Sequence, residues 1–373
     1  MIDEERKLKI KIMGVGGGGC NAISRIAQQA EQFQGIEFWA ANTDLVALRD
    51  VAKNEKVKLI QLGVHKTNGT GAGASPEAGK IATEESIKEI EEAIGDANLL
   101  FITAGMGGGT GTGGAPVVAR IAKEKKILTI GVVTLPHNYE GAKKRQIADA
   151  GIEEMHKYAD VVIIVANQRA FKACGENAPL HKIFEKADEV LINCIKGITD
   201  IIVNHSLVNL DFADICTVIE NKKTAHIGLG VATGENRMLK ALRMASNNDM
   251  LNTTIEQAKY IIVNIVADYN LSGAAVDKAL SLIPRVVAPD ATIIHGLGFD
   301  KSLKDEVQVT IIATGLYGET EEEVEDTLTS DVSAYGQDGI LMNSQAEDNG
   351  AVETVEQVSD TFEDFIKKMK EKR

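Results

Sequence analysis

Seven of the ten residues from Gly105 to Gly114 are glycine, and the other three are Met106, Thr110 and Thr112. The run follows an apolar segment, ANLLFITA, and precedes APVVARIAKEKK, whose apolar residues keep helical spacing. Ordering a loop so poor in Cβ atoms has a steep entropic cost, and close approach of backbone to a phosphate chain is what commonly offsets it. The chain is therefore expected to contain a strand, a glycine turn and a helix whose amides face an anion. Glycines serving only as flexible turns is the plainer reading, and it leaves the length of the run unexplained.

Short apolar runs alternate with helical patterns through the first half, the signature of a parallel, doubly wound sheet. Strands are expected at KLKIKIMGV, IEFWAANT, VKLIQL, ANLLFITA, ILTIGVVT and DVVIIVAN. Helices are expected at CNAISRIAQQAEQF, PEAGKIATEESIKEIEEAI, APVVARIAKEKK and from Gly141 to Ala159. In such sheets ligands bind at the carboxyl ends of the strands. Two further glycine turns fall there: Gly14-Val15-Gly16-Gly17-Gly18-Gly19 after the first strand, and Gly69-Thr70-Gly71-Ala72-Gly73-Ala74-Ser75 after the third. Alone, the first of these also suits a dinucleotide fold or a tight turn. Two glycine loops at one sheet edge can grip a triphosphate, and the third can close over its terminal phosphate. No G-x-x-x-x-G-K-[ST] occurs in these loops, so amides and a bound Mg²⁺ must replace the usual lysine.

Apolar residues from Leu180 to Ile202 keep a three-four spacing over about six turns, which predicts one long buried helix. Beyond it, strands TAHIGLGVAT, KYIIVNIVA, ATIIHGLGF and EVQVTIIATG and helices NRMLKALRMAS and GAAVDKALSLIPRVV predict a second α/β domain with a mixed sheet. The expected organisation is a Rossmann-like domain over 8–179, a central helix over 180–203, a loop and helix over 204–224, and the second domain over 225–316. An acidic disordered linker over 317–360 and a terminal docking peptide over 361–373 complete it.

Charge supports that division. Residues 317–360 carry thirteen acids and no base, so most of the net charge of −14 belongs to the tail and the globular part is nearly neutral. This disfavours a nucleic-acid binder. Four scattered cysteines without C-x-x-C spacing argue against zinc and disulfides, and no stretch reads as a signal peptide or membrane span, so a cytoplasmic protein with no bound structural metal is expected.

GMGGGTGTG at Gly105 to Gly113 resembles the signature of the tubulin and FtsZ superfamily. GVGGGGCNA, ANTD at Ala41 to Asp44, GAGASP at 71–76, NLDFAD at 209–214 and NLS at 270–272 follow in that family's order, so the resemblance covers roughly residues 8–316. It implies a GTPase that assembles head to tail into filaments at the division site, with GTP or GDP and Mg²⁺ in the first domain. Gly17, Gly18, Gly19, Cys20 and Asn21 match its first nucleotide loop, and Gly107, Gly108, Gly109, Thr110 and Gly111 its phosphate cradle. Glu140, followed by Lys144, matches the acid that meets the ribose. Asn167, Phe184 and Asp188 match its guanine pocket, although Phe184 alone also has a plainer reading as core. Asn209, Asp211 and Asp214 match its catalytic loop, where two carboxylates orient water; a lone D-x-x-D reads first as a helix cap, and it is the NLDFAD context that reverses this. Because that loop follows the long helix, its carboxylates are expected to reach only the neighbouring subunit's γ-phosphate.

The sequence also departs from the family pattern. Lys144 stands where Arg is usual, His137 and Tyr139 where Phe is common, and Gln168 where Asp follows Asn167. Asn204-His205-Ser206 replaces a Pro-Gly turn, and Glu220-Asn221-Lys222-Lys223-Thr224 replaces an apolar, glycine-containing stretch. The tail lacks an I-P-x-F-L core, but FEDFIKKMKEKR keeps an apolar patch beside bases suited to docking a membrane-tethering division protein. Two other functions fit part of the pattern. One is a copolymerising paralogue with weak turnover, suggested by residues 204–224; the other is a dinucleotide oxidoreductase, suggested by GVGGGG alone.

Overall fold

The structure is a computed structural model that describes residues 8–316 apart from 34, 176, 204–206, 209, 249 and 252. The expected acidic linker, the docking peptide, the 204–206 turn and Asn209 lie outside the described residues.

The first half runs β1 (Ile10–Val15), α1 (Gly16–Ala27), β2 (Ile36–Asn42), α2 (Leu45–Val51), β3 (Val57–Gln61), α3 (Val64–Thr67), α4 (Pro76–Glu85), α5 (Ile87–Ile94), β4 (Leu99–Gly105), α6 (Thr110–Glu124), β5 (Leu128–Leu135), α7 (Ala142–His156) and β6 (Val161–Ala166). After α8 (Asn167–Cys174) comes α9 (Leu180–Val203), the long helix expected from the apolar spacing. The chain then forms α10 (Phe212–Ile219), β7 (Lys223–Thr233), α11 (Arg237–Ser246), β8 (Tyr260–Ala267), α12 (Gly273–Leu280), β9 (Thr292–Phe299) and β10 (Glu306–Thr314).

Six parallel strands lie in the order β3-β2-β1-β4-β5-β6, each joined to its neighbour by a regular register such as Ile12↔Phe38 and Ile12↔Phe101. Strand order reverses between β1 and β4, which opens a crevice beyond their carboxyl ends. The two longest glycine runs follow these two strands. The sheet then continues through only two residue pairs, Val161↔Lys223 and Val162↔Thr224, into β7. There β10 runs antiparallel to both β7 and β8, and β9 is parallel to β8, so this half is mixed.

Apolar side chains of α1, α9 and α10, among them Ile23, Ile26, Ile195, Ile198 and Ile215, fill one face of the parallel strands. Those of α5, α6 and α7, including Ile90, Val118, Ile121 and Met155, fill the other. A third core joins Met238 and Leu242 of α11 to Val263, Val309 and Ile311.

The helix expected over PEAGKIATEESIKEIEEAI is two helices. Ser86 breaks it at φ −102, ψ 24, and its hydroxyl accepts a hydrogen bond from the Gly63 N–H at 3.0 Å, tying the break to the β3 end. Helix α1 starts at Gly16 instead of Cys20, so the first glycine run is the helix's own opening turn. The helix expected through GAAVDKALSLIPRVV stops at Leu280, and a 3-10 turn, Ile283–Arg285, takes up Pro284. Helices α2 and α8 are additional to the sequence expectation; Asp44 starts α2 by accepting from the Val46 and Ala47 N–H groups.

Candidate functional site

A cavity of about 380 Å³ occupies the crevice at the carboxyl ends of the parallel strands. That volume falls in the range of small-ligand sites, about 300–1,000 Å³. One end is almost entirely backbone. Gly17, Gly18 and Asn21 from α1 and Gly108, Gly109, Thr110 and Gly111 at the start of α6 form its wall.

The glycines there do two different jobs. A Cβ on Gly17 or Gly108 would meet nothing within 4 Å, so these two positions keep open space beside the cavity. Others allow loops to touch: a Cβ on Gly111 would lie 2.6 Å from the Gly105 carbonyl oxygen, and one on Gly109 2.9 Å from the Ser75 nitrogen. A Cβ on Gly113 would lie 1.9 Å from the Pro76 oxygen, so α4 packs backbone to backbone on α6. Thr43 of the ANTD segment joins this arrangement through a 2.6 Å hydrogen bond between its hydroxyl and that of Thr110.

Helices α1 and α6 both begin without a side-chain N-cap and without an acid in the first turn. Helices α2, α4 and α10 are capped by Asp44, Ser75 and Asp211. The uncapped N–H groups and positive dipole ends of α1 and α6 therefore meet at the cavity, an arrangement suited to an anion. Three of the expected loop residues stand behind this wall. Gly19 is pressed against the Thr103 carbonyl, where a Cβ would sit at 2.3 Å, and Gly107 holds φ +98 beside Lys144. Cys20 is buried, its thiol pushed up to about 12 by burial, with Sγ donating to the Gly14 and Ala41 carbonyls. These residues support the loops and do not line the cavity.

The opposite end is built from side chains. Glu140, in the 3-10 turn Asn138–Glu140, accepts from the His137 N–H at 2.8 Å and from Lys144 Nζ one turn along α7. Burial works to raise the Glu140 carboxyl, but Lys144 and the His137 N–H outweigh it and hold the group below its ordinary value. Asn167 opens α8 at the end of β6, and its Oδ1 is buried with no hydrogen-bond partner among the described residues. Phe184, Ala187, Asp188 and Leu191 present one face of α9 to the same space. Asp188 is buried and paired with Arg25 of α1; burial pushes its carboxyl up, and the guanidinium offsets part of that shift.

Arg25 lines the cavity although sequence reasoning passed over it. The signal was present: it stands four residues after Asn21, on the same face of α1. The apolar wall at Phe184, the orphaned Asn167 acceptor and the Asp188 carboxylate suit a planar base with N–H donors. With the amide-lined end opposite, the residues present fit a nucleotide.

Asp211 and Asp214 are elsewhere. Asp211 caps α10, and the two form a reciprocal capping box: the Asp214 N–H donates to Asp211 Oδ1 at 2.9 Å, and the Asp211 N–H to Asp214 Oδ2 at 2.9 Å. The capping role read from a bare D-x-x-D is thus present, and each carboxylate keeps one oxygen outside the box. Neither carboxylate is among the residues lining the cavity, and about 22 Å of helix separates Asp188 from Val203, the last residue of α9 before their loop.

Residues 9–175 match the model of the Tubulin/FtsZ family GTPase domain, and residues 223–317 match that of the FtsZ family C-terminal domain. The chain is 42% identical over 322 residues to the cell division protein FtsZ of Caulobacter vibrioides, covering 86% of this chain and 62% of that protein. It is 41% identical to a Wolbachia cell division protein FtsZ, covering 83% of this chain and 80% of the relative. The solved structure of the empty FtsZ dimer of M. jannaschii superposes with a TM-score of 0.73 at 37% identity, over 84% of this chain and 89% of the other. Two matched domain models, relatives of this identity and a shared fold establish that the chain belongs to the Tubulin/FtsZ family.

Proposed function

We propose that the chain binds GTP in the crevice, polymerises head to tail, and hydrolyses GTP only where the Asp211–Asp214 loop of one subunit meets the triphosphate of the next. The observation that carries this reading is the separation of the two half-sites. The uncapped starts of α1 and α6 offer amides for phosphates, while the acidic pair follows α9 in the chain and is not among the residues lining the cavity.

In this reading Gly17, Gly18 and Asn21 meet the nucleotide from α1, and Gly108 to Gly111 cradle the β- and γ-phosphates. Glu140 accepts from a ribose hydroxyl, with Lys144 holding the carboxylate in place. Asn167 accepts from the base, Phe184 packs against its plane, and Asp188 pairs with its N1 and N2 donors. Adenine offers no such donor pair, and the buried Asp188 oxygen left unpaired would reject it. Mg²⁺ bound with the triphosphate supplies charge neutralisation between the phosphates. Asp211 and Asp214 use their free oxygens to orient the attacking water, and Asn209, outside the described residues, is assigned beside them. The filament is placed in the cytoplasm at the division site, with residues 361–373 docking a membrane-tethering partner; among the described residues no helix is long and apolar enough to cross a membrane.

One feature favours a copolymerising paralogue of low turnover as the second reading. After α10 the turn holds Asn221 at φ 55 and Lys223 at φ 61, left-handed conformations that glycine adopts without strain. GTP turnover per subunit measured across protein concentration separates the two. A rise above a threshold concentration supports the assembly-coupled GTPase, and a flat rate near zero supports the paralogue.

A further inference from the structure

His137 stands directly behind the base end of the cavity. Its ring is stacked on Tyr139, centroids 4.9 Å apart at 13°, and meets Phe184 edge-on at 6.4 Å and 79°. Tyr139 is 74% exposed and Phe184 37%, whereas His137 is 3% exposed. The imidazole is therefore the buried middle ring of three, roofed by Tyr139 and pressed on the side chain that walls the cavity. Both ring nitrogens are buried and neither has a well-formed hydrogen bond among the described residues; the Glu140 N–H, which the ring approaches as in a capping box, donates to the His137 carbonyl at 2.9 Å instead.

A neutral imidazole in this place strands one donor and one acceptor, a cost that its packing against two rings offsets. A protonated one would strand two N–H donors and a charge, which a buried site does not tolerate. The charged groups around it do not supply a partner. On its own turn the Glu140 carboxylate accepts from the His137 backbone N–H and from Lys144 of α7. From α9, Asp188 is held by Arg25. Once charged, the ring must turn out to water, and Phe184 loses the edge contact that backs it. Burial already pushes the imidazole below its ordinary value, with Glu140 opposing, in keeping with a ring held neutral.

We propose that His137 is a positioning residue of the base pocket: as a neutral ring it braces Phe184 against the base, and its protonation loosens nucleotide binding. This rests on the guanine-site reading above. By linkage, nucleotide and proton exclude each other, so binding GDP lowers the His137 affinity for its proton by the same factor that the proton lowers GDP affinity.

The test is GDP affinity of the full chain, measured by calorimetry between about pH 7.5 and about pH 5.7, across the range where histidine titrates. His137→Phe keeps an aromatic ring behind Phe184 and removes the titration. His137→Ala removes both. The native chain is expected to lose at least about threefold more affinity on acidification than the Phe variant, which binds as tightly as the native chain at the higher pH. The Ala variant is expected to bind weakly at both. Asp188, also pushed up by burial, titrates alike in all three and cancels in the comparison. A ¹H–¹⁵N titration of the imidazole, with and without GDP, should show its midpoint fall when GDP is added. Superimposed acid slopes for the native and Phe chains, or native-like binding by the Ala variant, would overturn the proposal while leaving the guanine site intact. Absence of GDP binding by the native chain at any pH would overturn both readings together.

Discussion

Arg25 on α1 and Asp188 on α9 form an ion pair across the base end of the cavity, joining the helix that opens with the first glycine run to the long helix. The pair fixes where a carboxylate faces the cavity, because the guanidinium holds one side of a group that burial would otherwise neutralise.

On the proposed reading, in which Asp188 is the acceptor that discriminates the base, Asp188→Ala is expected to reduce the preference for GTP over ATP by at least about tenfold. Competition of ATP against a fluorescent GTP analogue measures it. An unchanged ratio would mean that the base is read by another residue.

Gly17 and Gly113 make opposite predictions from the same residue type. At Gly17 a Cβ has open space, so Gly17→Ala should leave stability unchanged or raised by up to about 1 kcal/mol while GDP affinity falls at least about tenfold. At Gly113 a Cβ would strike the Pro76 oxygen, and Gly113→Ala should cost about 1–3 kcal/mol in thermal or urea unfolding. Equal effects of the two on stability would remove the distinction between cradle and packing glycines.

His226 of β7 is fully buried, with Nδ1 2.9 Å from the Thr253 oxygen and Nε2 3.1 Å from the Ala245 oxygen. Burial pushes it below its ordinary value despite these carbonyls, so on acidification the unfolded chain takes up the proton first. Its contribution is full above about pH 6.5 and declines as pH falls below that. His226→Leu leaves unpaired the one carbonyl that the neutral ring's single N–H can satisfy and should lower stability by about 1–3 kcal/mol at about pH 7.5, with the gap to the native chain narrowing toward about pH 6. Urea midpoints at the two pH values check it, and a gap that widens with acid would reverse the assignment.

Asp214→Asn keeps an acceptor for the Asp211 N–H and so preserves the capping box. Nucleotide affinity and unfolding should match the native chain, while turnover falls at least about hundredfold if Asp214 orients the attacking water as proposed. Loss of GTP binding in this variant would place the residue at its own subunit's pocket.

The strands and the long helix were legible because burial on two faces forces mostly apolar runs on β1, β4 and β5, interrupted only by Lys11 in β1 and by threonines in β4 and β5, and α9 repeats its apolar positions over 24 residues. The break at Ser86 was not, because it depends on a hydrogen bond to Gly63, 23 residues away, while local spacing favours one helix. Helices α2 and α8 are short, seven and eight residues, and bury too few side chains to impose a period. In the cavity, the lining glycines were readable as a group, but separating Gly17 and Gly108 from Gly19 and Gly107 needed the positions of Thr103 and Lys144. Arg25 was missed because one helix face carries Asn21 and Arg25 without saying that α9 lies opposite.

The shared hydrolytic site is tested most directly by mixing two chains, each disabled at one end. One carries Asp214→Asn and keeps its nucleotide cradle; the other carries Gly17→Ala and keeps its acidic loop. The account predicts that each alone turns over little GTP and that their mixture regains turnover at contacts where an intact loop meets an intact cradle. A mixture no faster than the sum of its separate components would contradict it, as would full activity of the Asp214→Asn chain on its own.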